Sequence, residues 1–256
     1  MPKNKSKEIN DILVNFIKVM EANFSKKDLT NMYNNLLTLK IVPKKDNFID
    51  NLLSLYKLGE YYCKKNKIKL YTDNVKEVLN HELLHMSSYS KRNNLRYIGL
   101  DEAYTQFLAN YYFNEKTINY LILFVEYLDK VIGHDILSKM YLNNKLKSVI
   151  NLLEPLATDD EIYSFVKNMN ILYNKSYCDL EKIQKYIDEV FNFIVTIYAR
   201  MQYGKFKNNI IKSNECYFSI VFFVIELGKK LELLKKIEED REEIDISDLK
   251  LRLELK

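Results

Sequence analysis

The stretch Val75-Lys76-Glu77-Val78-Leu79-Asn80-His81-Glu82-Leu83-Leu84-His85-Met86 decides how this chain is read. Its apolar residues recur at helical spacing: Leu79, Leu83 and Met86 form one side, and Val78, His81, Glu82 and His85 an adjoining one. Positions i and i+4 of a helix lie one above the other, so the imidazoles of His81 and His85 can converge on one point with Glu82 beside them. Two neutral nitrogen ligands next to a carboxylate are what a helix needs to hold a metal ion beside a base. The apolar flanks predict burial, and a buried His-Glu-His group requires partners.

Upstream, Glu60-Tyr61-Tyr62-Cys63 and Ile68-Lys69-Leu70-Tyr71 flank the polar Lys64-Lys65-Asn66-Lys67. Aromatic and β-branched residues around a polar turn predict a strand, a turn and a second strand. Thr72 or Asp73 is positioned to cap the following helix, which should run to about Ser88. Farther back, Ile9, Ile12, Leu13, Phe16, Ile17 and Met20 give helical spacing over 8–23, and Ser25 or Asp28 can cap a second short helix. Residues 36–42 look extended up to Pro43. Downstream, a polar loop at 89–96 leads to Gly99 and a helix over about 100–113. After Thr117 the pattern is of amphipathic or buried helices, with breaks near Gly133, Asn143, Pro155, Asn174 and Gly204.

Other features have plain structural readings. Tyr111-Tyr112-Phe113 and Tyr217–Leu227 are expected to be buried helix. Asp159, Asp160 and Glu161 read as a helix start. The strict alternation of Leu249-Lys250-Leu251-Arg252-Leu253-Glu254-Leu255 predicts a strand. The expected fold class is α+β and mostly helical: a small N-terminal sheet with the His81–His85 helix, then a helical C-terminal half. The expected partition is 1–115 and 116–256, packed together.

Composition sets bounds on this reading. The chain has 256 residues, 47% of them apolar, which is ample for a core. Only 5 Gly and 3 Pro favour helices. A net charge of +4, from 39 basic and 35 acidic residues, gives no basic stripe with interleaved aromatics, so no nucleic-acid partner is expected. Cys63, Cys178 and Cys216 are odd in number and dispersed, which fits buried thiols in a reducing compartment. The start of the chain has no apolar signal core, and the longest apolar run is too short to span a bilayer. A soluble, cytoplasmic protein without membrane partners is expected. Oligomeric state is not legible.

Glu102, seventeen positions after His85, lies in Gly99-Leu100-Asp101-Glu102-Ala103-Tyr104-Thr105-Gln106-Phe107-Leu108 and supplies a third ligand at a workable spacing. HELLH followed by GLDEAYTQFL resembles the gluzincin metallopeptidases, and resembles most nearly their small relatives in low-GC Gram-positive bacteria. The specific resemblance covers about residues 60–113. It implies a zinc ion (Zn2+) held by His81, His85 and Glu102, with Glu82 as catalytic base. It also implies that Gln106 and Asp101 flank the ligands, Gln106 as an acceptor for a ligand imidazole's N–H. The hairpin would supply an edge strand for an extended peptide. Asp101 stands where the family has asparagine, the His85–Glu102 gap is shorter than in thermolysin, and the exopeptidase signature of the zinc aminopeptidases is absent.

The expected activity is hydrolysis of peptide bonds, most simply as an endopeptidase of narrow substrate choice acting on a peptide or protein. A developing oxyanion would need one further donor. His134 is the only remaining histidine, and Tyr97, Tyr104 and Tyr141 are the tyrosine candidates; any one of 20 tyrosines is by default a packing residue. Two alternatives stand beside this reading. One is a catalytically silent zinc-binding or interaction module. The other is a regulatory peptidase of the phage antirepressor type. Structural zinc sites are usually closed and rich in cysteine, and none of the three cysteines lies near the motif.

Overall fold

A computed structural model describes residues 3–45, 47, 50–51, 54, 57–89, 98–143, 149–175 and 180–254. The fold is α+β and mostly helical, with one small sheet near the N-terminus and a helical C-terminal half. In chain order the described elements are α1 (Lys3–Asn23), α2 (Thr30–Leu36), β1 (Lys40–Val42), β2 (Gly59–Tyr62), β3 (Lys67–Leu70), α3 (Leu79–Ser88), α4 (Ile98–Phe113), α5 (Tyr120–Ile132), α6 (His134–Leu142), α7 (Val149–Leu153), α8 (Asp159–Asn174), α9 (Leu180–Lys207) and α10 (Ser213–Glu254). They group into two compact units. The first comprises Met1–Arg96, Tyr104–Thr117 and His134–Val149; the second comprises Tyr97–Ala103, Ile118–Gly133 and Ile150–Lys256.

In the first unit the sheet has the order β1-β3-β2. β1 runs parallel to β3, and β2 runs antiparallel to it. Ile68 and Leu70 of β3 are fully buried, whereas Lys67 and Lys69 face outward, so the period-two alternation sets the two faces. The expected hairpin is present. Its turn is a short 3-10 segment, Cys63–Lys65, closed by Asn66 in the left-handed region (φ 42°), a conformation that asparagine tolerates. The Asn66 amide donates to the Asn35 carbonyl at 2.6 Å and to Thr38 Oγ1 at 2.8 Å, which ties the hairpin to α2. On α1, Ile9, Phe16 and Met20 form a buried stripe, and Phe16 stacks on Phe113 of α4 at 5.1 Å.

The expected cap of α3 is not made. Thr72 Oγ1 accepts the Asn74 N–H at 3.1 Å, Asp73 pairs with Lys5, and a 3-10 turn over Val75–Glu77 leads into the helix. Asx and Ser/Thr side chains stabilise local turns as readily as helix starts, and here the turn prevails. Likewise residues 36–42 are extended only from Lys40, because α2 continues to Leu36.

The second unit is helical. Asn119 caps α5, accepting the Ile122 N–H at 2.9 Å. Thr158 and Glu161 form a reciprocal capping box at the start of α8, which confirms 159–161 as a helix start. Arg200 of α9 clamps Glu161 with bonds of 2.7 and 2.9 Å and holds its carboxyl down at about 2, well below the usual 4.5. The stability that this pair contributes is therefore present above about pH 4.5 and lost as pH falls toward 2. Thermal melts of wild type and Glu161→Gln should converge across that window; a constant difference down to pH 2 would show that the clamp is not charge-dependent.

Three expectations are overturned here. Leu249–Leu255 was expected to form a strand, yet the backbone is helical as far as Glu254, as the end of α10. Leu, Lys, Arg and Glu are strong helix formers, and no Gly or Pro follows Gly228 to stop a helix already under way. The segment 217–227 is helical but not wholly buried: Phe223 and Leu227 are inside, while Tyr217, Phe218, Phe222 and Ile225 are exposed. Tyr111 is also exposed, although Phe113 packs on Phe16. Among the described residues no helix is long and apolar enough to cross a membrane.

Candidate metal centre

Helix α3 is the platform of the site. Of its ten residues all are buried except His81 and His85, so the helix is enclosed everywhere but at the two imidazoles. Leu79, Leu83, Leu84 and Met86 are fully buried and fix its rotation. Its C-terminal end is held by α2: the Asn35 amide donates to the carbonyls of Met86 at 2.8 Å and Tyr89 at 3.0 Å, groups that would otherwise lack helical partners. Glu82, only 6% exposed, sits in the first turn of α3, where the helix dipole favours a carboxylate.

Gly59, the first residue of β2, touches this helix. A Cβ at position 59 would lie 2.4 Å from Val78 Cγ1 and 3.0 Å from Glu82 Oε1. Only a residue without a side chain lets the strand approach the Glu82 carboxylate so closely. The sheet order leaves β2 at an edge, and among the described residues its outer side pairs with no strand.

The structure brings His81, His85 and Glu102 together. Each is half-buried, and one ligand atom from each lies within 4.8 Å of the other two. The Nε2 atoms of His81 and His85 are 3.0 Å apart, with the rings edge to face at 4.7 Å. Two zinc–nitrogen bonds of about 2.05 Å at a tetrahedral angle span about 3.3 Å, so the pair is spaced as ligands of one small cation would be. Two imidazoles and a carboxylate form a donor set suited to a divalent metal, and the fit is met by side-chain placement alone.

The surroundings of the triad give one residue that the sequence reading missed. Thr105 Oγ1, fully buried on α4 three residues after Glu102, lies 3.4 Å from His85 Nδ1 and 2.6 Å from the Tyr141 hydroxyl on α6. A metal on Nε2 would leave the proton on Nδ1, from which His85 would donate to Thr105, and the Thr105 hydroxyl in turn meets that of Tyr141. The signal was available: position 105 is one helical turn from Glu102 and so on the same face. Thr105→Val keeps the shape and removes the acceptor. It should weaken metal binding by about 10–100-fold in a chelator competition, with Thr105→Ser restoring it. Unchanged affinity would assign Thr105 to packing alone.

The remaining candidates fall as follows. The Gln106 amide donates to Asn110 at 3.2 Å and Glu115 at 2.9 Å. Asp101 is half-buried in the first turn of α4. Tyr141 is 1% exposed and its hydroxyl meets Thr105, behind His85 rather than in front of it. Tyr104 is fully buried against Phe107 and Tyr141. His134 Nε2 meets the Tyr112 hydroxyl at 2.8 Å, and its ring lies 4.4 Å from that of Tyr111. Tyr97 lies outside the described residues.

Compared with known proteins, the chain matches no family model, no curated sequence and no solved structure.

Proposed function

We propose that the chain is a zinc-dependent peptidase of the gluzincin kind, with His81, His85 and Glu102 holding the metal and Glu82 acting as general base. The observation that carries this reading is the convergence of the three ligand groups, with the buried Glu82 on the helix that carries both histidines. A divalent ion held by His81, His85 and Glu102 would supply a Lewis acid for the scissile carbonyl and would lower the pKa of the attacking water. The Glu82 carboxylate takes a proton from the attacking water and returns it to the leaving amine. Thr105 and Tyr141 orient His85 from behind. The edge of β2, which begins against Glu82 and pairs with no further strand among the described residues, offers main-chain hydrogen bonds to an extended substrate.

A silent metal-binding module has no need of a buried carboxylate next to its ligands, and that disfavours it. The test is metal-dependent turnover. Purified protein with about one zinc per chain should cleave members of a peptide library, lose that activity to a chelator, and regain it on zinc addition. Bound zinc with no cleavage of any peptide or of a protein lysate would sink the proposal.

A further inference from the structure

The hairpin beside Glu82 carries a charge that whole-chain composition hides. Residues 40–70 hold eight lysines (40, 44, 45, 57, 64, 65, 67 and 69) against Asp46, Asp50 and Glu60, a net +5, whereas the whole chain is +4. The strand register collects them. Lys40 of β1 is paired with Lys67 of β3, which is paired in turn with Tyr62 of β2; Val42, Lys69 and Glu60 form the next row. Because Ile68 and Leu70 are buried, these two rows are the outer face of the sheet. Two carboxylates there are already engaged: Asp50 with Lys69 at 2.7 Å, and Glu60 with Lys57. Among the described residues Lys40, Lys44, Lys45, Lys64, Lys65 and Lys67 make no ion pair, and the Lys67 ammonium lies 4.6 Å above the Tyr62 ring.

We propose that this face selects an acidic, extended polypeptide segment, paired along the edge of β2 that no other strand covers among the described residues, with an acidic side chain near Lys67 about three residues from the bond that faces Glu82. The spacing follows from the pleat. A chain added to β2 places the residue opposite Gly59 on the inner face, toward Glu82. Three positions along, the residue opposite Tyr62 is on the outer face, about 10 Å away. Lys67, one strand in on β3, holds its ammonium over the Tyr62 ring beside that position, and Lys64 and Lys65 lie in the adjoining turn. A polypeptide fits better than a nucleic acid. The edge offers backbone donors and acceptors in strand register, and the Tyr62 ring already carries Lys67 while its hydroxyl meets Tyr71 at 2.7 Å, so it is not a stacking platform for bases. The location of the cut rests on the peptidase reading; the binding does not.

The experiment uses the full chain, zinc-loaded, as the Glu82→Gln variant. Fluorescence anisotropy compares a labelled Asp/Glu-rich peptide, its Lys-substituted counterpart of equal length, and a single-stranded RNA of similar charge. The acidic peptide should bind at least about tenfold tighter than the basic one, and Lys67→Glu should remove about tenfold of that affinity. The preference should shrink as salt rises. The double variant Lys64→Glu/Lys65→Glu, in the exposed turn, is a second probe should Lys67→Glu fold poorly. Equal affinity for both peptides, or tight RNA binding without peptide binding, overturns the proposal. Acidic peptide held by Glu82→Gln but never cut by wild type leaves the inference standing and removes the peptidase reading. Cleavage indifferent to peptide charge does the reverse.

Discussion

Glu82→Gln is expected to lower turnover of any cleaved peptide by about 10²–10⁴-fold while leaving zinc content unchanged. The substitution keeps the volume of a side chain that is 6% exposed, so packing of α3 against its neighbours is preserved. What it removes is the capacity to accept a proton. His81 and His85 flank position 82 on the same helix and keep their own anchors, the buried Leu79, Leu83, Leu84 and Met86 and the Asn35 bonds to the end of the helix. The expected signature is therefore a fall in kcat with metal stoichiometry and helical circular dichroism intact. A variant that cleaves as well as wild type would show that Glu82 is not the base. A variant that loses zinc would show that its carboxylate belongs to the ligand set.

The sequence made the α3 platform legible because two periodicities agree there: the apolar positions repeat at helical spacing, and so do the histidines. The β2–β3 hairpin was legible for a similar reason, with aromatic and β-branched runs around a polar turn. The relation of His85 to Thr105 and Tyr141 was not, since Tyr141 reaches the site from a helix 56 positions downstream of His85, and nothing local marks one tyrosine among 20. At the end of α10, helix propensity accumulated over a long uninterrupted helix prevails over a short alternating pattern. The lysine face of the sheet was hidden by the near balance of the whole chain, since charge becomes a surface property only once register is known.

Glu102→Ala should cost more metal affinity than any change around the ligands, exceeding the roughly 10–100-fold expected for loss of a hydrogen-bonded supporting group. Two neutral imidazoles alone leave the cation's charge uncompensated, and the carboxylate supplies both a third bond and a negative charge. The helix that carries it should survive, because Leu100, Ala103, Tyr104, Leu108 and Ala109 of α4 are all buried. The neighbouring carboxylate provides the internal control. Asp101 is turned about 100° around the helix from Glu102, so Asp101→Ala should retain zinc at full stoichiometry. Equilibrium dialysis of both variants, with circular dichroism to confirm helix content, decides the assignment. Zinc retained by Glu102→Ala and lost by Asp101→Ala would transfer the third ligand to the adjacent residue. Zinc retained by both would reduce the centre to a histidine pair and remove the ground for an open, catalytic coordination site.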